Sequence, residues 1–139
     1  MEAAQTEVLK ANQELLNAIA SGDYDIYKSF CAEDVTCFEP ESTGVLVQGT
    51  SFHKYYFDLD KAIADVKNDS LVAQSFPKTN ISMSNPHIRW LGDNAVVLSY
   101  VRVDQLLDDN KIPVTKTKSE TRIWENRDGT WLLVHLHKS

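Results

Sequence analysis

Three cations close apolar alternations late in the chain: Arg102 in NAVVLSYVRVDQLL, Arg122 in SETRIWENR and Lys138 in WLLVHLHK. Successive side chains of a strand point to opposite faces. Arg102 therefore shares a face with Val96, Leu98, Tyr100 and Asp104, Arg122 with Trp124, and Lys138 with Leu132, Val134 and Leu136. If those faces line one concavity, three positive groups approach it from three strands, and each needs a partner once it leaves water. Glu39 and Glu41 in FEPES, together with Asp104, are the counter-charges at hand. Two chemistries follow. One is a set of internal ion pairs; the other is capture of a carboxylate or phosphate, which a guanidinium fork grips through two parallel hydrogen bonds. Both hold together where an incoming anion displaces an internal glutamate.

Acid–base work needs a titratable group beside a polariser. His53 with Tyr27, or Asp104 with Tyr100, supplies such a pair for isomerisation or dehydration. A histidine flanked by Phe52 and lying near Tyr56 serves equally well as a hydrogen-bonded structural residue. His135 and His137 straddle Leu136 without a convergent third metal ligand, and His87 stands alone. Cys31 and Cys37 do not form a zinc-ligand spacing and read as reduced, partly buried thiols. No glycine-rich loop cradles a phosphate, and no nucleophile is paired with a base. Neither a metal nor a cofactor is expected.

These residues need a scaffold. Val8, Ala11, Leu15, Leu16 and Ile19 recur at helical spacing over residues 3–20. Gly22 suits a left-handed helix stop and Asp23 a cap for a short second helix through Tyr27 and Phe30. Extended runs follow at Val35–Phe38 and Val45–Val47, with Pro40 at an edge or bend. Thr50 opens a third, long helix whose apolar stripe is Phe52, Tyr55, Tyr56, Leu59, Ile63 and Val66. Residues 68–78, with Pro77, read as a loop. Runs 79–91, 94–107, 112–126 and 130–138 are strands, separated by Gly92-Asp-Asn, Asp108-Asp-Asn-Lys and Asp128-Gly129, all hairpin chemistry. Helices followed by a meander make the class α+β in one domain, residues 1–139.

The second face of the 94–107 run, Ala95, Val97, Ser99, Val101 and Val103, lacks the polar row that a solvated sheet face carries. Three helices cover one face of a curved sheet. The other, with Val97, Val101 and Val103, is expected to meet further copies of the chain.

The net charge of −6 over 139 residues, with lysine and arginine scattered, argues against nucleic acid and against an anionic membrane. No run approaches the roughly 20 apolar residues of a membrane span. MEAAQTEVLK has no signal-peptide pattern, so the expected location is cytoplasmic, and the sequons at Asn68 and Asn80 carry no weight.

The order helix, short helix, long helix and curved antiparallel sheet resembles the cone-shaped fold of nuclear transport factor 2, ketosteroid isomerase and polyketide cyclases. Within it, GDYDIY, FEPESTGVLVQGTSFHKYYF, NPHIRWLGDNA, SYVRVDQLLD and SETRIWENRDGTWLLVHLHKS resemble the association (hub) domain of calcium/calmodulin-dependent protein kinase II, in order and over nearly the whole chain. The resemblance implies a non-catalytic module that gathers subunits into a closed two-layered ring, a dodecamer, a tetradecamer or larger. Its partners would be itself and kinase subunits. It also implies a central pocket for a small carboxylate related to hydroxybutyrate or for an acidic peptide, its residues falling on Tyr27, His53, Arg102 and Arg122. Three departures stand out: Lys138 replaces the family's third pocket arginine, Val114 replaces a basic residue, and the segment DKAIADVKNDSLVAQSFPKTN is longer than usual. An isomerase, dehydratase or cyclase of the same fold is the alternative.

Overall fold

A computed structural model describes residues 2–67 and 79–139, with the backbone alone for residues 64–67. Three helices precede and interrupt a sheet: α1 (Glu2–Ser21), α2 (Tyr24–Phe30), β1 (Cys31–Phe38), β2 (Val47–Gln48), α3 (Ser51–Lys67), β3 (Asn80–Trp90), β4 (Ala95–Leu107), β5 (Pro113–Arg127) and β6 (Thr130–Lys138). The strand order is β2-β1-β6-β5-β4-β3. Every neighbouring pair is antiparallel except β1–β6, which is parallel, so the expected antiparallel sheet is mixed. Irregularities between Ser84 and His87, between Ile123 and Trp124 and between Cys31 and Thr36 add local twist and bend the sheet around its helices.

Helix α1 forms as its spacing dictates. Val8, Asn12, Leu15 and Leu16 are buried against Ile81, Val96, Leu98, Trp124 and Leu133 of the sheet. It ends where Gly22 takes φ 72°, with the Asp23 amide donating back to the Ala18 carbonyl at 2.9 Å. Asp23 then accepts from the Ile26 amide at 3.1 Å and starts α2. The two short hairpins close as expected. Asp108 Oδ1 accepts from the amides of Asn110 and Ile112, and Asp128-Gly129 places both residues at positive φ.

Two expectations change, the second short strand and the stripe of α3, whereas Pro40 sits at the expected bend and Thr50 at the expected helix start. Val45 and Leu46 are exposed and precede a strand of only two residues, Val47–Gln48. Pro40 opens a 3-10 turn, Pro40–Ser42, where its missing N–H costs nothing. Thr50 stands at the N-cap position of α3, its carbonyl accepting from the Lys54 amide at 3.0 Å, while its hydroxyl pairs with the Tyr24 hydroxyl at 2.8 Å. Helix α3 turns Phe52, His53, Tyr56 and Phe57 inward and leaves Tyr55, Leu59 and Ile63 at 64%, 42% and 45% exposure. Residues 55, 59 and 63 descend a different line of the helix from 53 and 57, so the apolar residues do not form one stripe. The side chain of Val66, the loop 68–78, Pro77 and the Asn68 sequon lie outside the described residues, as does most of the long connecting segment.

Candidate functional site

The buried face of β4 runs Val96, Leu98, Tyr100, Arg102, Asp104, and that of β5 runs Glu120, Arg122, Trp124. Register sets Tyr100 opposite Glu120 and Leu98 opposite Arg122. On β6 the irregularity beside Val134 shifts the alternation. Trp131, Leu133 and Leu136 are the buried residues of β6, and Leu132 and Val134 do not share the face of Lys138 as strict alternation predicts. Lys138 and Arg122 nevertheless reach the same concavity, a cavity of about 240 Å³ whose lining also includes Tyr27, Glu39, His53 and Arg102.

At its floor is a charge lattice. Arg102 grips Asp104 as a fork, Nε donating to Oδ1 at 2.7 Å and Nη2 to Oδ2 at 3.0 Å. Its Nη1 donates to Glu120 Oε2 at 3.4 Å. Arg122 Nε donates to the Tyr100 hydroxyl at 2.9 Å; that hydroxyl donates in turn to Glu120 Oε1, which Arg122 Nη2 also approaches at 3.4 Å. Glu120 is therefore the hub of the lattice, bound by both arginines and Tyr100. Burial pushes its carboxyl up, but Arg122 and then Arg102 outweigh burial and hold it below the ordinary carboxylate value. Burial, helped by the Glu120 carboxylate and opposed by Arg122, pushes the Tyr100 hydroxyl up to about 12. Arg122 is 1% exposed, yet its Nη1 has no hydrogen-bond partner. A buried guanidinium N–H without an acceptor is costly, and it is the donor that an incoming anion would meet.

At the rim the pairs differ. Lys138 Nζ lies 3.4 Å from Glu39 Oε2 and 3.7 Å from Glu41 Oε2, while Glu39 Oε1 lies 3.0 Å from His53 Nε2. Close as that contact is, both buried ring nitrogens lack a hydrogen-bond partner. Burial raises the Glu39 carboxyl, but contact with His53 and Lys138 brings it below its usual value. Tyr27 packs on the His53 ring at 5.7 Å between centroids, and burial drives its hydroxyl well above its ordinary value.

All eight expected pocket and counter-charge residues thus converge, with one reassignment. Glu39 and Glu41 neutralise Lys138 and not the arginines; Asp104 serves Arg102, and Arg122 relies on Glu120. Glu120 escaped sequence reading, although its signal was present: it stands two residues before Arg122 and hence on the same strand face. Lys118 and Asp60, which also line the cavity, were likewise missed. Asp104 is held by the Arg102 fork and Tyr100 spends its proton on Glu120, so that acid–base pair is committed to the lattice.

The outward face of β4 and β5 behaves differently. Val97 opposes Ile123, Ser99 opposes Thr121, Val101 opposes Ser119 and Val103 opposes Thr117. No charged side chain stands among these eight, and Val101 is 40% exposed in the single chain. His135, bonded to Thr36 Oγ1 at 2.7 Å, and His137 approach it from the β6 side.

Residues 4–139 match the family model described as the calcium/calmodulin dependent protein kinase II association domain. The chain belongs to this family. Over 139 residues it is 34% identical to the calcium/calmodulin-dependent protein kinase type II subunit delta of Oryctolagus cuniculus, spanning 24% of that protein. Among solved structures, the kinase II hub homology domain of C. reinhardtii is 42% identical, with a TM-score of 0.83 and coverage of 98% of this chain and 97% of the other. The association domain of the C. elegans kinase is 30% identical, with a TM-score of 0.82 over 99% and 96% of the two chains. A nuclear transport factor 2-like protein of Salmonella enterica, 19% identical at a TM-score of 0.71 over 99% and 91%, shares the fold. Membership of an association-domain family supports a role in homo-oligomeric assembly rather than catalysis. No helix among the described residues is long and apolar enough to cross a membrane.

Proposed function

We propose that this association domain closes a two-layered ring of a dozen or more copies. In it the outward face of β3–β6, with Val97, Val101 and Val103, is buried against neighbours, and the cone cavity accepts a small carboxylate or an acidic peptide side chain. One observation carries the assembly half: four successive β4–β5 pairs on that face are uncharged, whereas the face turned to the helices holds Arg102, Asp104, Glu120 and Arg122. A solvated face carries lysine and glutamate; an interface core is depleted of them. The orphaned Arg122 Nη1 supports the pocket half. Kinase subunits attached to such a ring would be its cargo.

Native mass spectrometry tests the assembly. The wild-type chain is expected as one particle of at least about a dozen protomers. Val101→Asp, which would bury an unpaired carboxylate at a cost of several kcal/mol, is expected to give protomers or dimers with unchanged circular dichroism. A wild-type monomer at micromolar concentration, or an intact ring from Val101→Asp, would refute the assignment. For the pocket, Arg122→Ala with Arg102→Ala should abolish hydroxybutyrate binding in calorimetry while the ring mass stays intact. A bound carboxylate that survives both changes places the anion elsewhere.

A further inference from the structure

The two cysteines and the strand histidines have no metal-ligand spacing in the sequence, but the fold brings other groups together across β1 and α3. Cys37 and Glu39 stand two apart at the end of β1 and point to one side, and α3 delivers His53 onto them. Among the described residues this is the trio whose ligand atoms, the Cys37 Sγ, a Glu39 carboxylate oxygen and a His53 ring nitrogen, all lie within 4.8 Å of one another.

We infer that Cys37, Glu39 and His53 form a binding site for a thiophilic divalent cation of the zinc class, one per protomer, at the edge of the cone cavity.

Three observations beyond the clustering carry this. First, each donor is of a type that binds zinc, one sulfur, one imidazole and one carboxylate, leaving a fourth position on the side of the cavity that Glu39 and His53 line. Second, both ring nitrogens of His53 are buried without a hydrogen-bond partner, and the group nearest to Nε2 is the Glu39 carboxylate at 3.0 Å, itself a member of the trio. Third, the carboxylate is prepared. Lys138 lies on Oε2 and leaves Oε1 turned toward His53 at 3.0 Å. Bond lengths of about 2.0–2.3 Å around a tetrahedral ion give ligand–ligand edges of about 3.3–3.6 Å. The Glu39–His53 edge needs to open by a few tenths of an ångström, and the sulfur lies within about an ångström of its position. Seating the ion forms the metal–sulfur bond and releases the Cys37 proton to solvent, so thiolate and carboxylate together cancel the ion's charge. The nearby cations do not forbid it, because Arg122 is paired with Glu120, and Lys138, shared between Glu39 Oε2 and Glu41, does not occupy Glu39 Oε1. The site would tie α3, whose outer line is exposed, to the strand that begins the cavity rim.

Cobalt(II) reports on such a site through a thiolate-to-cobalt charge-transfer band and the intense visible bands of tetrahedral cobalt. Full-length chain stripped with a chelator is expected to bind one Co2+ per protomer with both signatures and to lose them when Zn2+ is added. Cys37→Ser should remove the charge-transfer band, and His53→Ala should weaken Co2+ binding by about 100-fold or more, at or beyond the upper end of what loss of a mere supporting residue costs. Cys31→Ser and His135→Gln should leave both unchanged. Zn2+ should raise the melting temperature of wild type and not of Cys37→Ser, because binding to the native state alone is stabilising. Absence of a thiolate band from wild type, its survival in Cys37→Ser or its loss in Cys31→Ser would overturn the site. If Cys37→Ser does not fold, His53→Ala and Cys31→Ser decide the same question.

Discussion

The two faces of the β4–β5 ladder invert the usual arrangement of a protein surface. The side turned toward the helices carries Arg102, Asp104, Glu120 and Arg122, all buried. The side turned away carries valine, isoleucine, serine and threonine in four successive paired positions, bounded by the Ala95–Glu125 and Gln105–Thr115 pairs, and remains partly open to water in one chain. A charge is normally left outside because burying it costs several kcal/mol. Here the inner charges are tolerated because nearly every lone pair and N–H is matched, and the outer neutrality makes sense once a further copy of the chain excludes water. Under the assembly proposed above, charge would mark the pocket and its lack the contact, the reverse of a hydropathy reading.

The most direct way to break the inner face is to remove its hub. Glu120→Gln keeps the shape but strips the charge that both arginines share, and breaking a buried pair in this manner costs about 3–5 kcal/mol. Chemical denaturation of the two proteins should show that loss, far above the effect of Val101→Asp on the isolated protomer, about 1 kcal/mol or less for a surface position. Equal losses at the two sites would erase the distinction between faces.

Acid sharpens the same contrast. Because Glu120 is held below the ordinary 4.5 in the folded chain, it contributes stability that is complete above that value and is lost as the pH falls through the lowered one. Thermal melts from neutral pH downward should show wild type losing stability below the ordinary carboxylate range, while Glu120→Gln follows a flatter course. Parallel curves would mean that other carboxylates dominate.

Tyr100→Phe probes the bridge between Arg122 and Glu120. The hydroxyl accepts from one and donates to the other, so its removal leaves Arg122 Nε without its acceptor and Glu120 with one donor fewer. A loss of about 1–3 kcal/mol in denaturation is expected, with the ring mass unchanged because no outward residue moves.

Much of this was legible in the sequence. Helix α1, the Gly22–Asp23 joint and the β4–β6 hairpins follow from spacing and turn chemistry, since the signals are local. Period-2 alternation put Arg102 and Arg122 on the inner faces of β4 and β5, and Lys138 joins them at the cavity although its expected alternation with Leu132 and Val134 fails. What sequence reading missed depends on partners distant along the chain. Glu120 is recognisable as a hub only when β4 is laid beside β5. The β6 irregularity at Val134 breaks an alternation that looks regular in WLLVHLHK. The parallel β1–β6 pair joins segments nearly a hundred residues apart, and no turn announces it. Helix α3 misled because its aromatic residues are spread around the cylinder, so composition suggested one buried stripe where Tyr55, Leu59 and Ile63 form a separate exposed line.

Lys138→Arg is expected to have the smallest effect on folding and yet to distinguish the rim of the cavity from its floor. Nζ now meets Glu39 and Glu41 at 3.4 and 3.7 Å, a loose double pairing by a point charge. A guanidinium would hold one of those carboxylates through two bonds and present its remaining N–H groups to the cavity. Folding stability should change by less than about 1 kcal/mol, because a positive charge faces the same two glutamates in both proteins. Hydroxybutyrate should bind several-fold more tightly by calorimetry, because a third fork joins the orphaned Nη1 of Arg122. Unchanged affinity would show that the anion is held at the floor, by Arg122 and Arg102, and that position 138 only anchors the Glu39–Glu41 rim.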